Sequence, residues 1–280
     1  MARTIMLIPI GTGVGVTSVS LGMVRAMERH GVNVSFFKPV AQPRPGQSGP
    51  ETSTAVIRAG SNITPPEPLS LQYAENMITS NDSAILLEEI VALYERHIIE
   101  SGAEVVVIEG LVPVDKQPFA NKLNHEIATA LDADIVLVTH PGNYSSQKLK
   151  ESIELACANF GGANSKRIVG CIINKVGAPV DEHGITRPDL TEMFEAHHTG
   201  DNGSNPLEIL QFFGKSPLQI LGCIPWNAQL IAPRAIDLAR HLNAKIINEG
   251  EIYTRRLNIV TFCARSIHNM VQHISNQVAC

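Results

Sequence analysis

Near-continuous apolar runs recur along this chain and constrain its fold more than any other feature. They are TIMLIPI (4–10), VNVSFF (32–37), EVVVIEG (104–110), DIVLVTH (134–140) and RIVGCIINKV (167–176), each bounded by polar or glycine residues. Runs without polar alternation are what strands need when both of their faces are covered. Helix-type patterns lie between them. Residues 14–31, VGVTSVSLGMVRAMERHG, place Val19, Met23, Ala26 and Met27 on one face and close on Gly31 as a C-cap. Residues 82–102 begin at Asp82 as N-cap and set Leu86, Ile90, Leu93 and His97 along one stripe. This alternation predicts an α/β fold: a doubly wound, mainly parallel sheet with helices on both faces and right-handed crossovers.

With 280 residues, the chain has room for one large α/β domain, or one domain and part of another. Its 44% hydrophobic content supports a sizeable core and is far from a disorder composition. A net charge of −5 gives no general attraction to nucleic acid or to an anionic membrane, so neither is expected as a partner. The opening MARTIMLIPIGTG is basic and then apolar, in the manner of a signal peptide. Its apolar run is too short and no small-residue cleavage site follows, so it reads as a core strand. No stretch approaches the length of a membrane span. Cys157, Cys171, Cys223, Cys263 and Cys280 lack CxxC spacing and read as reduced packing residues of a cytoplasmic protein.

Irregular stretches interrupt the alternation at 41–52 (AQPRPGQSGPET), 177–189 (GAPVDEHGITRPD) and 197–206 (HHTGDNGSNP). Loops near the C-terminal ends of strands are where α/β domains hold ligands. A boundary is expected near 225–230, after LQILGCIPW, dividing residues 1–226 from 227–280. The second part is too short to stand as a compact domain of its own. It either packs back on the first or opens a further domain.

The first apolar run leads into a glycine-rich turn and then a helix, the arrangement in which backbone N–H groups gather around a phosphate. Gly11, Thr12, Gly13 and Gly15 supply the turn, and Thr17 and Ser18 stand at the hydroxyl positions. The GxxxxGK[ST] pattern fails twice: Ile10 occupies the first glycine position, and Val16 replaces the lysine. The spacing of GTGVGV does not suit GxGxxG dinucleotide binding either. A helix N-terminus still attracts anions by about 0.3–1 kcal/mol at an exposed site. No cofactor is therefore required, and weak nucleotide or anion binding is the expectation. Phosphoryl transfer depends mainly on electrostatic stabilisation that Val16 cannot give. The alternative is a tight strand-to-helix turn with Thr17 and Ser18 as caps.

Further segments extend the pattern: FFKPVAQP (36–43), VVVIEGLVPV (105–114), IINKVGAPVDE (172–182) and LGCIPW (221–226). Their order resembles P-loop domains of the dethiobiotin-synthetase and cobyrinic-acid-synthase type. More specifically, residues 6–32, FKPVAQPR, EGLVPV, APVDEHGITRPDL and residues 235–267 resemble the N-terminal region of long-form bacterial phosphate acetyltransferases, over essentially the whole chain. That family is similar in lacking the loop lysine. The resemblance implies a region for assembly and metabolite control, with acetyl transfer in a C-terminal domain that has no counterpart here. It makes the rest of such a chain, a homo-oligomer and a small-molecule effector the expected partners. It also makes 227–280 the start of a truncated middle domain.

Within the resemblance, Lys38 holds the Lys-Pro position, where its charge either compensates for the missing loop lysine or is a solvated strand end. Glu109 ends an apolar strand, an unusual place for a carboxylate without a partner. In the resembling ligases that position serves Mg²⁺, which makes Glu109 a candidate cofactor-binding residue; the alternative is a pair with Lys38 or a cap on neighbouring backbone. Asn174, with Lys175, resembles an adenine-recognising pair, or forms a turn after a buried strand. Asp115 and Lys116 read as loop surface, and His197 and His198 as solvated loop histidines without metal-ligand spacing. Arg255 and Arg256 read as a contact between domains or subunits. No nucleophile elbow supports a catalytic triad. The alternative to a regulatory and oligomerisation region is an ATP-dependent ligase of the dethiobiotin-synthetase kind, in which Lys38 would substitute for the loop lysine.

Overall fold

Strands form where the apolar runs lie, because each run can bury alternate residues on opposite faces of one sheet. The computed structural model describes residues 2–43, 51–114, 117–142, 144–179, 186, 206–214, 216–257, 259–260 and 278–279. The strands of the main sheet are β1 (Arg3–Pro9), β2 (Val34–Phe37), β3 (Val105–Glu109), β4 (Asp134–Thr139), β5 (Ile168–Val176) and β6 (Ile220–Pro225). They pair in the order β2-β3-β1-β4-β5-β6, every pair parallel. The helices are α1 (Val16–Arg29), α2 (Thr52–Gly60), α3 (Leu71–Thr79), α4 (Ser83–Ser101), α5 (Ala120–Ala130), α6 (Ser146–Ala158) and α7 (Pro206–Phe213).

Alternation along the strands divides the core in two. Met6, Ile8, Val106, Ile108, Ile135 and Leu137 pack with α3 to α7 through residues such as Leu86, Ile90, Leu123, Ile127, Leu149 and Ile153. Their neighbours Leu7, Val107, Val136 and Val138 turn to the other face and meet Val19, Val24 and Ile57 of α1 and α2. Full burial of such a side chain is worth about 1.5–3 kcal/mol, so both faces contribute to holding the sheet. The doubly wound parallel sheet expected from the sequence is therefore the fold.

Two helix faces differ from expectation. On α1 the buried residues are Val16, Val19, Ser20 and Val24, while Ala26 is exposed. Ser20 tolerates burial because its hydroxyl donates to the Val16 carbonyl at 3.0 Å. On α4, Tyr94 rather than Leu93 completes the buried stripe, since its hydroxyl meets that of Thr4 on β1. Asp82 does precede α4, but its side chain makes no capping hydrogen bond; Gly102 closes the helix in the left-handed conformation.

After β6, the Trp226 N–H donates to the Val176 carbonyl, continuing the strand pairing. Two short helices, Ala228–Ile231 and Ala235–His241, follow. Arg256 donates to the Leu230 and Ala232 carbonyls at 3.0 and 2.9 Å, and Arg255 lies 3.9 Å from Glu251. Both arginines thus have partners inside the chain. Cys157 and Cys171 are buried and unpaired, as packing residues are, and burial pushes the Cys171 thiol upward. Among the described residues, no helix is long and apolar enough to cross a membrane. Asp115, Lys116, His197, His198, Cys263 and Cys280 lie outside the described residues.

Candidate functional site

The chain passes from β1 outward to β2, back to β3 and then across β1 to β4, so the winding reverses beside β1. In open parallel sheets the crevice at such a reversal, beyond the strand C-termini, is the natural ligand position. Lys38, Glu109, Asn174 and Lys175, singled out from the sequence, meet there beside Pro9 and His140. Pro9 ends β1, Lys38 follows β2, Glu109 ends β3, His140 follows β4, and Asn174 and Lys175 lie near the end of β5.

The turn from β1 to α1 is built on left-handed glycines: φ is +90° at Gly11, +69° at Gly13 and +76° at Gly15. Gly15 is the N-cap of α1 and no side chain caps the helix. Thr17 and Ser18 are therefore not the caps, and the first helical N–H groups have no intrahelical acceptor. Thr12, Gly13 and Ser18 are exposed; Gly11, Gly15 and Thr17 are half-buried. Val16 is only 4% exposed and packs into the core.

β5 braces this turn. Asn174 Nδ2 donates to the Val14 carbonyl at 2.9 Å, and Lys175 Nζ donates to the Gly13 carbonyl at 2.7 Å and to Thr186 at 2.8 Å. Lys175 itself adopts φ +54°, a left-handed conformation uncommon outside glycine. The fit is tight, since a Cβ on Gly15 would lie 2.7 Å from Asn174 Nδ2. His140 approaches from β4 with a hydrogen bond to the Thr12 backbone; burial first, and then the Lys175 charge, hold its imidazole below the ordinary value. Its Nδ1 is buried without a partner among the described residues.

On the other side of the turn, Lys38 and Glu109 form an ion pair at 2.9 Å, with both side chains only 2% exposed. Glu109 Oε1 also accepts from Ser53 at 2.7 Å and from Thr17 at 3.3 Å, and Oε2 accepts from Ser20 at 3.4 Å. Lys38 additionally donates to the Gly110 carbonyl at 3.2 Å. The chain beyond β3 is clamped as well. Asn124 bonds both the N–H and the carbonyl of Leu111 at 2.8 Å, and Gln42 does the same for Val112 at 2.7 and 3.0 Å.

The structure thus joins Gly13, Gly15 and Asn174 in one network and Thr17, Lys38 and Glu109 in another. Ser18 and the Thr12 side chain belong to neither. Ser20, Ser53, Gln42, Asn124 and His140 were not anticipated. Ser53 is placed by the start of α2, where Glu51 caps the helix by accepting from the Thr54 N–H.

P-loop phosphoryl transfer uses a divalent cation held by the loop hydroxyl and a strand-end acid. The residues present do not fit one. The Glu109 oxygens are taken by an ammonium and three hydroxyls, and no group of three or more His, Cys, Asp or Glu suited to a metal occurs among the described residues.

Comparison with known proteins agrees with this architecture. A family model described as an AAA domain, AAA_26, matches residues 3–234. Phosphate acetyltransferase of Escherichia coli strain K12 is 53% identical over 275 residues, which cover 98% of this chain and 38% of that protein. The Haemophilus influenzae phosphate acetyltransferase is 47% identical over 273 residues, with the same coverage of 98% and 38%. The similarity is to the N-terminal part of these relatives, and the chain spans well under half their length. Among solved structures, the signal recognition particle receptor FtsY from Elizabethkingia anophelis superposes with a TM-score of 0.50 at 12% identity. That match covers 82% of this chain and 61% of the other, and shows a shared fold.

Proposed function

The chain belongs to the AAA_26 family of AAA domains, and from its likeness to the N-terminal part of phosphate acetyltransferases we propose that it is the N-terminal regulatory and oligomerisation region of such an enzyme. In this reading the reaction of acetyl-CoA with phosphate, giving acetyl phosphate and CoA, is carried by residues outside this chain. Residues 1–226 form a domain of the dethiobiotin-synthetase type, and 227–280 open the following one. The crevice between the glycine turn and the end of β3 takes a small anionic or nucleotide-like effector weakly.

The observation that carries the proposal is the condition of Glu109. A carboxylate fully engaged by Lys38, Ser53, Thr17 and Ser20 supports a binding role better than phosphoryl transfer. The uncapped start of α1 leaves N–H groups for an anion. Sedimentation of the purified chain, with and without ADP and inorganic phosphate, tests this together with calorimetric titration of each ligand. Self-association and weak saturable binding are expected. A monomer that binds neither ligand would overturn the proposal, and tight Mg·ATP binding with turnover would favour an ATP-dependent ligase.

A further inference from the structure

We infer that Lys38 is the resident cation of this crevice: its ammonium occupies the place on Glu109 that a divalent metal would otherwise take. A phosphate-bearing small molecule is then accepted free of metal, a consequence that rests on the ligand reading above.

The argument starts from the donor set. Glu109 of β3, Thr17 and Ser20 of α1 and Ser53 of α2 bring one carboxylate and three hydroxyls together, with contacts to Glu109 of 2.7–3.4 Å. These are hard oxygen donors, the kind that Mg²⁺ and Ca²⁺ select. The cation they receive is Lys38 Nζ, 2.9 Å from Glu109 Oε1. Mg²⁺ coordinates oxygen at about 2.0–2.1 Å, so a metal on that oxygen would stand against the ammonium. Two cations on one buried oxygen repel strongly where water cannot screen them. Occupancy is therefore exclusive.

Lys38 is also committed in its position. It is 1% exposed and donates to the Gly110 carbonyl as well as to Glu109. An ammonium carries three donors; the third has no partner among the described residues. The carboxylate oxygen that it contacts is shared with Thr17, two residues beyond the last glycine of the turn. The positive charge thus belongs to the same network as the turn, although it comes from a different strand than a phosphate-loop lysine does.

The test compares the unaltered chain, Lys38→Met and Lys38→Met/Glu109→Gln, each titrated with Mn²⁺ and followed by electron paramagnetic resonance and thermal unfolding. The unaltered chain is expected to take up no Mn²⁺ at Glu109. Lys38→Met leaves the carboxylate without its cation, and Mn²⁺ is expected to bind and raise its unfolding temperature. Where that variant fails to fold, refolding in Mn²⁺ is the expected rescue. The double variant lacks the carboxylate and should show neither effect. Mn²⁺ uptake by the unaltered chain that Glu109→Gln abolishes would overturn the inference. So would a Lys38→Met chain that Mn²⁺ neither binds nor rescues.

ADP titrations in EDTA and in Mg²⁺ separate this inference from the reading beneath it. Equal affinity supports metal-free binding, and Mg²⁺-dependent binding overturns it. Absence of ADP binding counts against the ligand reading, and the Mn²⁺ experiment then decides the role of Lys38.

Discussion

Val16 stands where a phosphate loop carries its lysine, and the fold gives that position an apolar task. It packs in a cluster with Leu7, Val14, Val19 and Val138. A lysine there would bring a charge into apolar surroundings without a partner, at a cost of several kcal/mol. We predict that Val16→Lys loses stability on that scale in urea unfolding and gains no Mg·ATP affinity by calorimetry. The missing charge could be read from the sequence, but the inward direction of the valine could not, because it depends on how α1 docks. Glu109 was more legible. A carboxylate ending an apolar strand needs a partner, and Lys38 was one of the two partners anticipated. Ser20 and Ser53 carried no such signal, since serine occurs in every environment and only the docking of α1 and α2 makes these two converge.

At the level of elements, the segment leaving β3 owes its shape to side chains rather than to strand pairing. Asn124 of α5 stands in for a neighbouring strand at Leu111, and Gln42 does so at Val112. Leu111 is fully buried, so removing the amide leaves backbone groups there without partners. Each buried group left unpaired costs about 1–3 kcal/mol. Asn124→Ala is expected to lower the urea midpoint accordingly with an unchanged slope, whereas Gln117→Ala, which removes only a partly buried side-chain partner of Gln42, should have a much smaller effect. The strands were legible to within two residues at either end because apolar runs flanked by polar residues mark them directly. Neither α2 nor α3 stood out, for both are short and follow a stretch dominated by proline and glycine. The α1 and α4 faces were misjudged where a polar atom, the Ser20 or the Tyr94 hydroxyl, finds a buried partner.

For the whole molecule, parallel winding followed from the alternation of strands and helices, whereas the order β2-β3-β1-β4-β5-β6 depends on which strands become neighbours. Local pattern does not encode that choice. The assembled core makes stability depend on pH through two histidines. His97 accepts from or donates to Ser35 at 2.6 Å, and burial is the main reason its imidazole, like that of His140, is held below the ordinary value. The unfolded chain therefore takes up protons first as pH falls. Their contribution is complete above about pH 6.5 and is lost as pH drops from there through the depressed folded values. Thermal unfolding followed from about pH 7.5 to about pH 5.5 should show the decline, and His97→Gln should make it shallower. The brace on the glycine turn has a consequence for biosynthesis. Asn174 and Lys175 reach carbonyls 160 and 162 positions earlier in the chain. The turn leaves the ribosome well before its fastenings are translated. A nascent chain halted before Asn174 would carry every glycine of the crevice and neither of the residues that hold them.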